Sequence, residues 1–356
     1  MIKKIFKGLG ALLFVIIAAL FVYNLILSAK YKSPYEAPVL SEEENAEMVF
    51  IYQLKEEEGE NIWPGFSDEN ISLIFFNDKY EFLYNKTVSS PDWTKIIPEG
   101  NKDLSVYRRE AKNPQAFAVE LEDEWVASIG TRNHMNRDLF LGIRKEVPAI
   151  LSHIFPFFIF KLSPGIHISG TIHEMFHALE AKTNEQKFQN AEATHAALDD
   201  YPYNDSTFIE NWNVEGQMLA KALNAQNNQQ FHAYVDSFLL TRELRRAETN
   251  LEEKHIQAER GLEWLEGMAK YVEYRSYILA TENDPEEFKF KAKNAYWQME
   301  RKDRLRRMGK HSGDNRFYHS GAAMAFILDK LNPDWKQKIM KDEIYLEDLI
   351  REAREI

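Results

Sequence analysis

The sequence predicts an α+β chain: an N-terminal transmembrane helix, a small β-rich region, and then a mainly helical domain. Three observations carry this. Residues 8 to 29, GLGALLFVIIAALFVYNLILSA, run 22 residues with Asn24 as the only strongly polar member. Residues 49 to 147 hold short apolar runs broken by turn residues. Beyond Leu162 the apolar residues recur at helical spacing.

The first element is argued from length. At about 1.5 Å per residue, a helix of this size crosses the roughly 30 Å hydrocarbon core of a bilayer. A cleaved signal has a shorter apolar core, about 7 to 15 residues, and Leu27-Ser28-Ala29 is a poor cleavage site. The expectation is an uncleaved anchor over residues 1–32, then a polar linker over 33–48. Three lysines in MIKKIFK favour a cytoplasmic N-terminus. The expected location is the bacterial cytoplasmic membrane, single-pass, with the body extracytoplasmic.

Composition narrows the chemistry. Of 356 residues, 44% are hydrophobic and 28% charged, which fits a folded core. There are no cysteines, so disulfides, thiolate metal sites and cysteine nucleophiles are excluded. Any metal must be held by His, Asp or Glu. Residues 1–32 contain five lysines and no acid, so the net charge of −12 becomes −17 for the remainder. Such a body repels nucleic acid and anionic lipid surfaces, and no nucleic-acid partner is expected.

In the β-rich region 49–147, ISLIFF, Asn77-Asp78 and KYEFLYN read as a hairpin with a two-residue turn. QAFAVELED and EWVASIG read as further strands. Residues 149 to 162, AILSHIFPFFIFKL, are too short and too interrupted by Pro156 and Lys161 to span a bilayer, so a buried core segment is expected. A membrane-facing lip or greasy groove is the livelier reading. The helical domain is expected over 148–356. Ser163-Pro164 reads as an N-cap followed by Pro at the first helical position. Residues 182 to 207 read as a polar loop, and Arg242, Arg245 and Arg246 as a solvated face.

The helix after Ser163 carries His173-Glu174-Met175-Phe176-His177. Residues four apart share a helix face, so two imidazoles can meet one ion. Glu174, about 100 degrees round, sits beside that ion and can act as a general base. Zinc suits imidazole and carboxylate ligands. Two histidines need a third ligand. ALEAKTNEQK lacks the Gly-x-x-His of a metzincin. Two downstream carboxylates remain, Glu215 in NWNVEGQMLAKAL and Glu266 in GLEWLEGMAKYVEY. Glu215 is alternatively a carboxylate that orients a ligand histidine. His153, His167, His195 and His232 show no ligand spacing with the motif.

HEMFH followed by Trp264-Leu265-Glu266-Gly267-Met268-Ala269 resembles the gluzincin zinc metallopeptidases, in particular the W-L-x-E-G-x-A stretch of the aminopeptidase N family. Glu266 matches that family's third ligand. Tyr318-His319-Ser320-Gly321-Ala322 is similar to its Y-x-K-G-A stretch, so Tyr318 matches the tyrosine that stabilises the tetrahedral intermediate, with His319 as the weaker alternative donor. The interval from His177 to Glu266 is far longer than in that family, Ser320 replaces its Lys, and its G-x-M-E-N stretch is missing. The layout is closer to uncharacterised bacterial peptidase-like proteins with HExxH, a distant E-G-x-A-x-Y stretch and W-P-G-F, here Trp63-Pro64-Gly65-Phe66.

The resemblance implies a thermolysin-like helical domain and a membrane-anchored zinc metallopeptidase. His173, His177 and Glu266 are expected to hold zinc, Glu174 to be the general base, and Tyr318 to stabilise the oxyanion. The expected partner is a peptide or protein substrate at the membrane. The alternative is a non-enzymatic envelope scaffold that keeps a gluzincin-like fold.

Overall fold

The computed structural model describes residues 2–97, 105–282, 304–311, 313–340 and 343–355, with side chains from residue 8 onward. Helix α1 (Ile2–Lys30) is the apolar run. Its stretch Gly8–Lys30 is long and apolar enough to cross a membrane and is almost entirely unburied.

The expected linker, 33–48, is no loose tether. Ser41 and Glu44 form a capping box that starts α2 (Glu42–Ile62), so the helix begins inside it. The residues before the cap are strapped to the body. Arg137 Nε donates to the Ser33 carbonyl at 3.1 Å and Asn77 Nδ2 to the Ala37 carbonyl at 2.8 Å. Arg108 Nη1 donates to the Pro38 carbonyl at 2.6 Å.

Six strands follow: β1 (Leu73–Phe76), β2 (Tyr80–Tyr84), β3 (Thr94–Ile96), β4 (Val106–Glu110), β5 (Phe117–Leu121) and β6 (Glu124–Gly130). They form one sheet in the order β3-β4-β2-β1-β6-β5. Among the described residues only the β1–β6 pair is parallel. The β1–β2 turn falls one residue later than expected, on Asp78-Lys79. Asn77 Oδ1 accepts from the Lys79 and Tyr80 amides at 2.9 and 2.8 Å, so Asn77 opens the turn instead of lying within it. The stretch 49–147 is therefore β-rich only in its middle, because α2 fills its start and α3 (Arg132–Glu146) its end.

Beyond this come α4 (Ala149–Ser152), a 3₁₀ turn (Phe157–Phe160), α5 (Pro164–Thr183), α6 (Glu185–Ala193) and a second 3₁₀ turn (Thr194–Leu198). Helices α7 (Ser206–Leu223), α8 (Asn228–Glu248) and α9 (Glu253–Ala280) follow. A 3₁₀ turn (Met308–Lys310) then precedes α10 (Asn315–Leu331), α11 (Trp335–Ile339) and α12 (Leu346–Arg354). Ser163 caps α5 with Pro164 at its start, as expected. The expected loop 182–207 is largely helical, because Asn184 caps α6 and accepts from the Lys187 amide at 3.1 Å.

Two expectations fail on burial. The segment 149–162 is not core: Ile150 is 87% exposed and Ile159 64%. Pro148 and Pro156 keep it from forming one long helix, and its buried Phe157 packs on Phe140 of α3 and beside Leu27 of α1. Nor do the arginines form a solvated face, because Arg242 and Arg245 are fully buried. Carboxylates from three other helices converge on them. Arg242 meets Glu215 at 2.7 Å, Glu263 at 2.5 Å and Glu347 at 2.9 Å. Arg245 meets Glu215 at 2.8 Å and Glu259 at 2.6 Å. Ser320 Oγ adds a 2.5 Å hydrogen bond to Glu263, tying in α10.

Helix α5 is fixed at three points. His167 bridges Glu47 of α2 and the Gly130 carbonyl of β6, each at 2.9 Å. Phe176 packs against Trp63 at 4.8 Å and Phe66 at 6.2 Å, so the two aromatic residues of the W-P-G-F stretch form a buried wall behind the motif, while Pro64 and Gly65 face outward. Gly65 sits at φ +78°, which glycine adopts without strain and which turns the chain there. Met175 and Phe176 are fully buried, leaving His173 and His177 to face α9.

Candidate metal centre

Helix α5 presents His173 and His177 one turn apart, and α9 crosses them with Glu266. The two Nε2 atoms lie 3.1 Å apart. Glu266 Oε2 lies 3.4 Å from each of them. Tetrahedral bonds of about 2.0–2.2 Å would separate ligand atoms by roughly 3.3–3.5 Å. The triangle therefore has nearly the edge lengths of one face of such a polyhedron. Glu266 Oε2 is buried yet has no hydrogen-bond partner, a costly arrangement that a cation relieves. Two imidazoles and a carboxylate, all buried, thus fit a small divalent ion.

A carboxylate lies behind each histidine, hydrogen-bonded to His177 but only close to His173. His177 Nδ1 contacts Glu180 Oε2 at 2.8 Å, and His173 Nδ1 faces Glu273 Oε2 at 3.3 Å. Lys270 anchors Glu273 at 2.7 Å. Carboxylates in this position set the tautomer and turn Nε2 toward the ion. Sequence reasoning missed both. The signal was helical spacing: Glu180 is three residues after His177, and Glu273 seven after Glu266.

Glu215 is not beside the histidines. Its two oxygens are taken by Arg242 and Arg245, which removes it both as a ligand and as a partner for a ligand histidine. His195, given no ligand spacing from sequence, and Glu192 come within 4.8 Å of Glu266. Glu192 lies at the end of α6, and His195 on the 3₁₀ turn that follows it.

Glu174 is half-buried beside the triangle. Burial pushes its carboxyl above the ordinary range, while His173 and His177 pull it down. Tyr318 stacks on His173, with ring centroids 5.8 Å apart and planes 12° apart. Burial raises its hydroxyl pKa and the nearby Glu266 carboxylate raises it further, so it remains a donor. His319 turns elsewhere, with its ring 5.4 Å from His311.

Tyr318 reaches the site because α9 and α10 touch at two glycines. A Cβ on Gly321 would lie 2.4 Å from the Glu263 carbonyl and 2.6 Å from Gly267 Cα. Gly321→Ala is therefore expected to cost roughly 1–3 kcal/mol of stability by overpacking. It should also weaken the site, because Glu266 and Tyr318 flank this crossing. Chemical denaturation measures the first effect, and an unchanged midpoint would mean the helices can part freely.

Proton occupancy gives a further expectation. Burial alone would lower His173, but the Glu266 and Glu273 carboxylates outweigh it and raise its pKa to about 9. Burial likewise opposes, and Glu266 with Glu180 dominates, at His177. A ligand imidazole must be neutral. Loading zinc at pH 7 should then expel about one to two protons per ion, fading as pH rises through 9. Calorimetry in buffers of different ionisation enthalpy counts them, and no release at pH 7 would mean that both imidazoles are already neutral before the ion binds.

No protein-family model, curated protein or solved structure matches this chain.

Proposed function

We propose that this protein is a membrane-anchored zinc metallopeptidase of gluzincin type, with α1 as the anchor and the body outside the bacterial cytoplasmic membrane. The observation that carries the chemistry is the near-tetrahedral triangle of His173, His177 and Glu266, with Glu174 beside it. When bound, zinc supplies Lewis-acid polarisation of a carbonyl and acidifies water. Glu174 takes the proton of the attacking water and returns it to the leaving amine, for which a raised carboxyl pKa is suited. The Tyr318 hydroxyl donates to the developing oxyanion. Glu180 and Glu273 hold the imidazoles in register.

A peptide is favoured over other amides by the sheet. Strand β5 is its last strand, and Phe117 on it lies 4.7 Å from the His177 ring. Its outer edge has no strand partner among the described residues, so an extended chain can pair with it beside the site. The long interval between His177 and Glu266 is occupied by α6, α7 and α8, which leave the two ligand helices in contact.

The deciding experiment is metal content by mass spectrometry of the full chain beside Glu266→Ala. About one zinc per wild-type chain, lost in the variant, is expected. Zinc retained in Glu266→Ala would move the third ligand elsewhere. No metal in either, even after zinc is added, would leave the scaffold alternative.

A further inference from the structure

We propose that the segment from Pro148 to Lys161 is a second membrane contact, an apolar lip seated in the bilayer interface beside α1. It rests on the proposed anchoring by α1, but not on which side the body faces. The lip presents five large apolar side chains to solvent: Ile150, Leu151, Phe158, Ile159 and Phe160, between 44% and 87% exposed. A water-soluble surface rarely gathers so many side by side, and such patches mark interaction sites.

Continuity with α1 identifies the occupant as lipid. Asn24, the one strongly polar residue of the apolar run 8–29, is buried under the lip. Its amide donates to the Phe155 carbonyl at 2.9 Å and the Ser152 carbonyl at 3.3 Å. Phe21 packs on His153 at 5.8 Å and Tyr23 on Phe158 at 6.2 Å. These contacts begin at Phe21, about 14 Å of helix before Lys30. A bilayer that covers α1 to its end therefore meets the lip too.

The lip's backbone suits that depth. Irregular chain in contact with lipid must satisfy its own polar groups. The Ser152 and Ile154 amides donate to the Pro148 and Leu151 carbonyls, each at 3.0 Å, and the Ile159 amide to Pro156 at 3.1 Å. Pro148 and Pro156 have no amide hydrogen to satisfy. Ser152 Oγ is spent on the Ala149 carbonyl at 2.8 Å.

Charge agrees. In a strongly acidic body, exposed lysines border the lip. Lys30 and Lys161 line one cavity of about 210 Å³ between α1, α3 and the lip. Arg144 reaches across to the Ser28 hydroxyl. Lysines at this level can extend to phosphate headgroups while their stems lie on apolar surface. The sequence alone, read as a uniform charge, predicted repulsion from anionic lipid; the structure gathers these cations at the one edge that would meet it.

The chain has no cysteine, so single reporters can be placed at will. Ile150→Cys, Phe158→Cys and Ile159→Cys are each labelled with a fluorophore in the full-length protein. The protein is reconstituted in phosphatidylcholine–phosphatidylglycerol vesicles carrying nitroxide lipid. Phe14→Cys reports the anchor and Leu240→Cys, 56% exposed on α8, a surface outside both the lip and α1. Quenching at the three lip positions should be several-fold above that at 240 and approach that at 14. Quenching at 14 with lip values equal to 240 would overturn the lip and leave the anchor standing. No quenching at 14 would instead overturn the anchor, and the lip with it. Lip labels shielded from aqueous quencher but untouched by nitroxide lipid would assign the face to a second copy of the chain and reject lipid.

Discussion

Glu174→Gln is expected to lower peptide turnover by roughly 10²- to 10⁴-fold while zinc content stays unchanged. The amide keeps the shape of the carboxylate but cannot accept a proton from water. His173, His177 and Glu266 are untouched, and so are the Glu180 and Glu273 carboxylates behind them. Parallel metal analysis and single-turnover hydrolysis separate the two quantities. Full turnover in the variant would sink the peptidase proposal, and unchanged cellular behaviour would favour a scaffold. Loss of zinc together with activity would mean that Glu174 holds the ion instead of serving it.

Arg242→Ala should be the most damaging single change to the fold, costing roughly 3–5 kcal/mol. The guanidinium is the common partner of Glu215, Glu263 and Glu347, each nearly or fully buried. Its removal takes a buried partner from all three carboxylates and, among the described residues, leaves Glu263 with the Ser320 hydroxyl but no arginine, while Glu215 keeps Arg245 at 2.8 Å. Glu347 also keeps Arg246, but that pair lies toward the surface at 3.0 Å. The damage should spread to the site, because Glu263 lies one helical turn before Glu266 on α9. Equilibrium denaturation tests this, and near wild-type stability would show that the carboxylates hold protons or partners enough without Arg242.

The two ends of the site differed in how readable they were. Local periodicity sufficed for α5: a cap, a proline and two histidines four apart describe one face of one helix. Glu266 was reachable because its neighbours Trp264, Gly267 and Ala269 are packing residues of the same helix, so the stretch carried more pattern than a lone carboxylate. Beyond helical spacing, Glu180, Glu273 and Glu192 carry no signal in the sequence, since an acidic residue on a helix is usually solvated, and His195 has no ligand spacing with the motif. Only the crossing of α5 and α9 decides otherwise. Burial of the arginines was unreadable for the same reason, as its cause is convergence from helices distant in sequence. The start of α2 was missed although Ser41-Glu42-Glu43-Glu44 carries the capping-box pattern; the acidic run masked it. The lip misled in the opposite direction, because apolar composition says that water is avoided but not what replaces it.

The strapped connection between α1 and α2 has a kinetic meaning if the anchor spans the membrane. A floppy tether of that length would let the candidate metal centre sample a wide shell of positions. Here the Ser33, Ala37 and Pro38 carbonyls are each claimed by a side chain of the body. The centre is then carried at one height, as a gauge carries its blade. Substrates embedded in the same leaflet would be searched in two dimensions at high effective concentration, and their cut sites would fall in a narrow register from the bilayer. Soluble peptides would gain nothing from this arrangement, so distance from the membrane, more than residue type at the scissile bond, would select what is cleaved.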